Sequence, residues 1–132
     1  MDGIGLSALV VDDIRMMREL LSRMLRTIGF AEVYDASSAE EAMKVLGERS
    51  VHLILVDWNL GESNGGDLVQ RIRTQTRDGA RLPILMVSGQ TEQATIMAAR
   101  RSGIDGYLLK PVSKADLLAR VKFVLAKHKG AA

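Results

Sequence analysis

The sequence of 132 residues contains no cysteine. This absence excludes disulfide scaffolds, thiolate metal sites and cysteine nucleophiles, and it suits a reducing compartment, so a cytoplasmic location is expected. Apolar runs long enough to cross a bilayer are missing, and the first residues lack the basic and apolar regions of a signal peptide. We therefore expect no membrane association.

A strong excess of one charge sign is also missing. The chain has 18 Lys and Arg against 16 Asp and Glu, which gives a net charge of +2, and both signs are interspersed. The electrostatic footprint of a nucleic-acid-binding protein is therefore lacking, and no nucleic-acid partner is expected. A group of arginines in the first predicted helix is interpreted as a solvated surface: Arg15, Arg18, Arg23 and Arg26.

The chain alternates between short apolar runs and stretches whose apolar residues recur at helical spacing. Its length predicts a single domain over residues 1–132, with a core from about 6 to 128 and short flexible ends. The predicted strands are 7–13, 32–36, 51–57, 83–89 and 106–110. The predicted helices are one ending at Gly29, one from Ser37 or Ser38 to Gly47, and three near 65–76, 91–102 and 113–128. Such alternation predicts an open α/β fold, in which helices cover both faces of a parallel sheet.

Helical periodicity also predicts which side chains face the core. On the first helix the predicted buried stripe is Met17, Leu20, Leu21, Met24, Leu25 and Ile28, and Ser22 is predicted to face solvent. Four methionines are interpreted as core-filling residues: Met17, Met24, Met43 and Met97.

Reactive side chains follow four of the five predicted strands. The first strand ends in Asp12 and Asp13, the third in Asp57, the fourth in Ser88 and the fifth in Lys110. Each alone has an ordinary explanation as a cap, a turn residue or a solvated charge. Because ligand sites of open α/β sheets lie outside the carboxyl ends of the strands, we expect the five side chains to converge on one cavity.

Three carboxylates in one cavity require a cation to relieve their repulsion. Oxygen ligands alone select a hard ion, and Mg²⁺ in particular is held by one or two carboxylates while it also contacts a phosphate. A carboxylate can then attack a phosphoryl group, with Lys110 and Ser88 neutralising the phosphoryl oxygens. Asp57, at the end of the apolar run 51–57, is predicted to be the acceptor.

Four segments together resemble the response-regulator receiver domain, in its single-domain, CheY-like form: 10-VVDD-13, 55-LVDWN-59, 86-MVSG-89 and 109-LKP-111. The resemblance covers nearly the whole chain. It implies a five-stranded flavodoxin-like sheet with strand order 2-1-3-4-5, an order that we borrow from a known member of the family. It also implies Mg²⁺ as the cofactor, with Mn²⁺ as a substitute, and a cis peptide bond between Lys110 and Pro111. The metal ligands it implies are Asp12, Asp13, Asp57 and the backbone carbonyl of Asn59.

The resemblance further implies a signalling role in a two-component system. A histidine kinase or a histidine phosphotransfer protein would phosphorylate Asp57, and the chain would catalyse only its own phosphoryl acceptance and dephosphorylation. The downstream partner would be a protein such as a flagellar motor switch or another kinase. Ser88 and Tyr107 would form the switch, and Asn59 and Gln90 would tune the phosphate lifetime. The partner face would lie on the fourth helix, fifth strand and fifth helix, with the candidates Ile96, Ala99, Lys114 and Lys122.

Three positions depart from the family pattern. The segment 60-LGESNGG-66 has Gly61 where the family has proline, so a looser loop is expected. Gly89 replaces a common alanine, which predicts a more open phosphoryl site. Val112 replaces a frequent phenylalanine and removes an aromatic ring from the edge of the partner face.

Three other functional classes place different demands on the same residues. A phosphohydrolase of the haloacid-dehalogenase type needs D-x-D on its first strand and a substrate cap, whereas Asp12 and Asp13 are adjacent and no segment is long enough for a cap. A flavin mononucleotide binder needs a small, polar phosphate loop, whereas 14-IRMMRE-19 is bulky and charged. A receiver-like binding module that works without phosphorylation stays open, because a complete site does not prove that it is used.

Overall fold

The computed structural model describes the backbone of residues 5–131 and the side chains of residues 5–127. Within the predicted flexible ends, which flank the core of about 6–128, residues 1–4 and 132 lie outside the described residues. The strands are β1 (Ser7–Val11), β2 (Glu32–Ala36), β3 (Leu53–Val56), β4 (Asn59–Leu60), β5 (Ser63–Asn64), β6 (Ile84–Ser88) and β7 (Gly106–Leu109). The helices are α1 (Arg15–Ile28), α2 (Ala39–Glu48), α3 (Gly65–Gln75), α4 (Gln93–Arg101) and α5 (Lys114–Ala131).

Five of the strands form one parallel sheet in the order β2-β1-β3-β6-β7. Strands β4 and β5 lie outside it, so the predicted order 2-1-3-4-5 and the predicted α/β class are confirmed. The central strands β1, β3 and β6 are buried along their whole length, because helices cover both faces of the sheet.

Alternate residues of each central strand enter two separate apolar layers. In β1, Ala8 and Val10 pack against the layer that contains Leu21 and Leu25 of α1, together with residues of α5. The neighbouring Leu9 and Val11 pack into the second layer, with residues of α2, α3 and α4. Because successive side chains of a strand point to opposite faces of the sheet, the residues of one apolar run are divided between the two apolar layers.

The structure corrects several predicted details of the helices. In α1, Leu20 is 39% exposed, whereas Ser22 is buried. The buried face is centred on Leu21 and Leu25, and Leu20 lies roughly 100° from Leu21 around the helix. Met97 is exposed rather than buried. Helix α2 passes through Gly47 instead of stopping there, and α5 continues to Ala131, beyond the predicted end at 128.

The segment predicted to be a loose loop forms a small antiparallel hairpin. Asn59 pairs with Asn64 and Leu60 pairs with Ser63, around a turn in which Gly61 has a φ of 72°. Glycine adopts this left-handed conformation at little cost, which explains the absence of proline there. The Asn64 side chain then caps α3 by accepting a hydrogen bond from the Asp67 N–H at 2.9 Å. The hairpin thus connects the end of β3 directly to a capped helix.

One arginine connects several segments at the amino edge of the sheet, where the parallel strands begin. Arg73 of α3 donates hydrogen bonds to the carbonyl oxygens of Gly79, Leu82 and Gly103. It also contacts the Asp105 carboxylate at 3.1 Å, and that carboxylate accepts the Ile84 N–H at 2.8 Å. One side chain therefore connects α3 to the starts of β6 and β7.

Among the described residues, no helix has the length and apolarity that crossing a membrane requires.

Candidate functional site

The carboxyl edge of the sheet brings the predicted side chains together. Asp12 and Asp57 are buried at the ends of β1 and β3, Ser88 is the buried last residue of β6, and Asp13 is exposed beside Asp12. Backbone hydrogen bonds to neighbouring strands hold both buried acids. The Asp12 N–H donates to Ala36 O at 3.1 Å, and the Asp57 N–H donates to Val11 O at 3.0 Å. The acids therefore stand on rigid strands rather than on a flexible loop.

Lys110 joins the two buried carboxylates. It follows β7, and its backbone N–H donates to Ser88 O at 2.9 Å. The Nζ atom lies 2.9 Å from Asp12 Oδ2 and 3.0 Å from Asp57 Oδ2. The peptide bond from Lys110 to Pro111 is cis. One ammonium group is thus shared by carboxylates from two different strands.

The three acids fit a hard divalent cation. Each of Asp12, Asp13 and Asp57 offers one carboxylate oxygen, and these oxygens all lie within 4.8 Å of one another. The donor atoms are all oxygen, which suits Mg²⁺ or Mn²⁺ and disfavours soft metals. Asn59 lies at the start of β4 beside this cluster, and its N–H is 3.4 Å from Asp57 Oδ1.

Burial and charge shift two pKa values in the site. Burial raises the pKa of the Asp57 carboxyl above its ordinary value, and the Lys110 ammonium offsets only part of that effect. For Lys110, burial lowers the pKa, but the hydrogen bonds to Asp12 and Asp57 outweigh it, so that the pKa is raised. The lysine therefore stays charged, while the ionised form of Asp57 is destabilised by its surroundings.

A chain of hydrogen bonds leads from the site to β7. The Gln90 N–H donates to Ser88 Oγ at 3.1 Å, and the Tyr107 hydroxyl donates to the carbonyl oxygen of Gln90 at 2.8 Å. The Tyr107 ring is half-buried against the second apolar layer. Next to Ser88, a Cβ atom at Gly89 would meet no atom within 4 Å outside its chain neighbours, so the space around this position would also accommodate alanine.

Comparison with known proteins identifies the family. The sequence profile of the response regulator receiver domain matches residues 8–122. The chain belongs to this family. Receivers are components of two-component signalling, and the identification explains the convergence of acids, serine and lysine at one edge of the sheet.

Individual relatives agree with this assignment. Chemotaxis protein CheY1 of Helicobacter pylori is 31% identical over 121 residues, which span 91% of this chain and 97% of the relative. Chemotaxis protein CheY of Pseudomonas aeruginosa is 29% identical over 122 residues, spanning 92% and 98% of the two chains. The crystal structure of a putative response regulator from Chloroflexus aurantiacus matches with 34% identity and a TM-score of 0.84, covering 92% of this chain and 98% of that one.

The predicted partner face of the receiver needs one correction. Lys114 and Lys122 are exposed and Ile96 is half-buried, but Ala99 is 0% exposed and cannot touch a partner. Ala99 lies on the inner side of α4, packed in the second apolar layer. The same three elements instead present large exposed apolar side chains, namely Met97, Leu109 and Phe123.

Gly65 was missed as a residue that shapes the receiver site. It is the first residue of α3, and its N–H donates to Trp58 O at 2.6 Å. A Cβ atom at this position would collide with the carbonyl oxygen of Asp57. The signal in the sequence was the pair of glycines, Gly65 and Gly66, at a helix start, where glycine has poor helix propensity and needs another reason to be present.

Proposed function

We propose that this receiver accepts a phosphoryl group on Asp57 from the phosphohistidine of a histidine kinase or a histidine phosphotransfer protein. The observation that carries the proposal is the position of Asp57 Oδ2, 3.0 Å from Lys110 Nζ within a cluster of three acids. The buried carboxylate of Asp57 can act as the nucleophile, the ammonium can neutralise a phosphoryl oxygen, and the two further acids can bind a metal ion. These are the groups that phosphoryl transfer requires.

The transfer follows from the chemistry of the groups. A carboxylate oxygen of Asp57 attacks phosphorus, the new P–O bond forms, and the P–N bond to the donor imidazole breaks. The electron pair of that bond stays on the imidazole nitrogen. Lys110 keeps its proton, since its pKa is raised, and its ammonium stabilises negative charge on the phosphoryl oxygens.

Asp12, Asp13, Asp57 and the Asn59 carbonyl would hold the Mg²⁺ ion. When bound there, the cation neutralises phosphoryl oxygens during the transfer. The raised pKa of Asp57 supports this assignment, because a carboxylate destabilised by burial gains from a nearby positive charge. Asn59, whose N–H lies 3.4 Å from Asp57 Oδ1, and Gln90, whose N–H donates to Ser88 Oγ, would influence the access of water, and hence the lifetime of the acyl phosphate.

The change at Asp57 would reach a partner through Ser88 and Tyr107. Ser88 Oγ accepts the Gln90 N–H, and Tyr107 is bonded to the Gln90 carbonyl, so a movement of the serine toward the phosphoryl group pulls on the segment that anchors the tyrosine. The partner face then comprises Ile96, Lys114 and Lys122, together with the exposed Met97, Leu109 and Phe123. A flagellar motor switch protein or another kinase is the proposed target, since several relatives are named as chemotaxis proteins.

The test compares wild type, Asp57→Asn and Asp116→Asn after incubation with acetyl phosphate and Mg²⁺. Asp116 is an exposed carboxylate of α5 and serves as the matched control. Intact mass should show one added phosphoryl group on wild type and Asp116→Asn, and none on Asp57→Asn. Label retained in Asp57→Asn would move the acceptor elsewhere, whereas metal binding without labelling of wild type would favour the binding module.

The same variants give a second readout in chemical unfolding. At an Mg²⁺ concentration one hundred times the dissociation constant, wild type should gain about 2.7 kcal/mol in the free energy of unfolding. Without Mg²⁺, Asp57→Asn should be more stable than wild type at pH 7, because the raised pKa shows that the folded state disfavours the charged carboxylate. An equal gain from Mg²⁺ in both proteins would contradict the assignment of Asp57 to the metal.

A further inference from the structure

Arg18 lies one turn into α1 and reaches back to the acidic pair. Its Nη1 donates to the carbonyl oxygen of Asp12 at 2.8 Å. Its Nε lies 3.6 Å from Asp35 Oδ2, at the end of β2. The Arg18 side chain is only 16% exposed, in contrast to the solvated surface predicted for this helix. The guanidinium therefore bridges α1, the acidic pair and the neighbouring strand.

The Asp12 carbonyl belongs to the peptide unit that joins the two acids. The side chain of Asp12 is held on both oxygens, by the Ile14 N–H at 2.9 Å and by Lys110 Nζ at 2.9 Å. The side chain of Asp13 is exposed and takes part in none of the hydrogen bonds or ion pairs found among the described residues. The direction of its Cα–Cβ bond is set by the backbone between Asp12 and Asp13.

The start of α1 contacts the acidic pair at more than one point. Ile14 is the N-cap residue, and no side chain caps the helix. The Ile14 N–H instead donates to Asp12 Oδ1 at 2.9 Å, which is one contact between the helix start and the acidic pair. The hydrogen bond from Arg18 to the Asp12 carbonyl adds a second tie, which joins the first turn of α1 to the backbone of the loop.

We propose that Arg18 is a positioning residue for the metal-binding acids. By holding the carbonyl of Asp12, it orients the following peptide so that the Asp13 carboxylate remains in the cluster with Asp12 and Asp57. This inference rests on the proposed function, since it concerns the affinity of the same site for Mg²⁺. Groups that orient metal ligands typically change metal affinity by about 10- to 100-fold when they are removed.

Charge and geometry predict opposite results for Arg18→Ala. The guanidinium is a cation near a cation-binding site, so its charge alone weakens Mg²⁺ binding, and its removal would tighten binding. Loss of the tie to Asp12 weakens binding instead. Arg15 provides the matched control: it belongs to the same helix, its side chain is 83% exposed, and it pairs with Glu19 rather than with the loop.

The experiment titrates Mg²⁺ into wild type, Arg18→Ala and Arg15→Ala at constant ionic strength. The fluorescence of Trp58, beside Asp57, and isothermal titration calorimetry both report the dissociation constant. We expect Arg18→Ala to bind about tenfold more weakly than Arg15→Ala, and Arg15→Ala to bind like wild type or slightly more tightly. Equal constants in the two variants, or tighter binding by Arg18→Ala, would overturn the proposal.

Circular dichroism and urea unfolding establish that each variant is folded. If Arg18→Ala does not fold, the comparison moves to Arg18→Lys against Arg15→Lys. Lysine keeps the charge, but a single ammonium cannot reproduce the rigid fork that spans the Asp12 carbonyl and Asp35. Arg18→Lys should then bind Mg²⁺ severalfold more weakly than Arg15→Lys, and equal constants would refute the proposal.

The wild-type titration separates this inference from the proposed function. A wild type that does not bind Mg²⁺ would overturn both proposals together. Wild-type binding combined with equal constants in the Arg18 and Arg15 variants would leave the phosphoryl-acceptor proposal intact and remove only the role of Arg18.

Discussion

The two edges of the parallel sheet each contain a basic side chain that joins segments far apart in sequence. At the carboxyl edge, the Lys110 ammonium contacts Asp12 and Asp57, and Asp13 belongs to the same cluster. At the amino edge, the Arg73 guanidinium contacts the Asp105 carboxylate and three backbone carbonyl groups. The contacts are similar in length, but the balance of charge is different.

Three carboxylates against one ammonium leave an excess of two negative charges at the carboxyl edge when all four groups are ionised. At the amino edge, one guanidinium faces one carboxylate, and its other contacts are neutral. An added cation would therefore relieve repulsion among the carboxylates of the first edge, whereas the ion pair of the second edge has no such repulsion to relieve. Rigidly held carboxylates that outnumber the nearby cations indicate a cation-binding site. A one-to-one ion pair indicates a contact that only stabilises the fold.

The largest expected effect is the loss of stability in Arg73→Ala. The variant removes the donor to three carbonyls and one partner of a largely buried carboxylate, so the free energy of unfolding should fall by about 3 kcal/mol. Urea unfolding measures the change, and Arg77→Ala, an exposed neighbour, is the control. Below the unfolding transition, the Mg²⁺ affinity of Arg73→Ala should equal that of wild type. An altered affinity would show that the two edges are coupled.

Gly65→Ala should have the next largest effect, about 2 kcal/mol of destabilisation, because the new methyl group collides with the Asp57 carbonyl. Gly47→Ala is the control: this residue also lies in a helix, but its Cβ would meet no atom within 4 Å, so alanine should stabilise the protein by up to about 1 kcal/mol. Thermal unfolding of both variants gives the comparison. If both variants changed the stability by a similar amount and in the same direction, α3 would have to be able to shift away from the site.

The smallest predicted effect is a difference between Lys110 and Arg73 in how their contributions to stability depend on pH. The pKa of Lys110 is raised above 10.5 in the folded state, so its contribution to stability is complete below pH 10.5 and is lost as the pH rises through the folded-state pKa. The difference in unfolding free energy between wild type and Lys110→Met should decrease as the pH rises above this value. The corresponding difference for Arg73→Ala should stay constant, because arginine keeps its proton. A constant difference for Lys110→Met would contradict the raised pKa.

Much of the fold was predictable because its signals are local. The apolar runs marked the five parallel strands, and glycine marked the end of α1, where Gly29 has a φ of 130°. The errors arose where hydrophobicity alone was used to orient a side chain. Leu20 lies at the margin of the buried face of α1 and Met97 is exposed on α4, although both are apolar. Packing against the sheet, which the sequence does not display, decides such cases.

The reactive groups of the site were also predictable, since each follows a recognisable strand. The residues that position these groups were not predictable from the sequence. Arg18 looks like any other arginine on a polar helix face, and only the fold shows that it reaches the Asp12 carbonyl. Gly65 is required by the approach of α3 to the Asp57 backbone, a contact between segments whose distance the sequence does not give. Reactive residues are marked by type and place, whereas positioning residues are marked by three-dimensional contacts.

The contact between Lys110 and Asp12 joins residues that are 98 positions apart. A chain that is still emerging from the ribosome therefore carries Asp57 and both acids of the pair long before it carries the lysine. The neutralising group arrives only with the last strand of the sheet. Under the proposed function, a chain can accept a phosphoryl group only after β7 and Lys110 have been synthesised, and a fragment that ends before Lys110 lacks this ability.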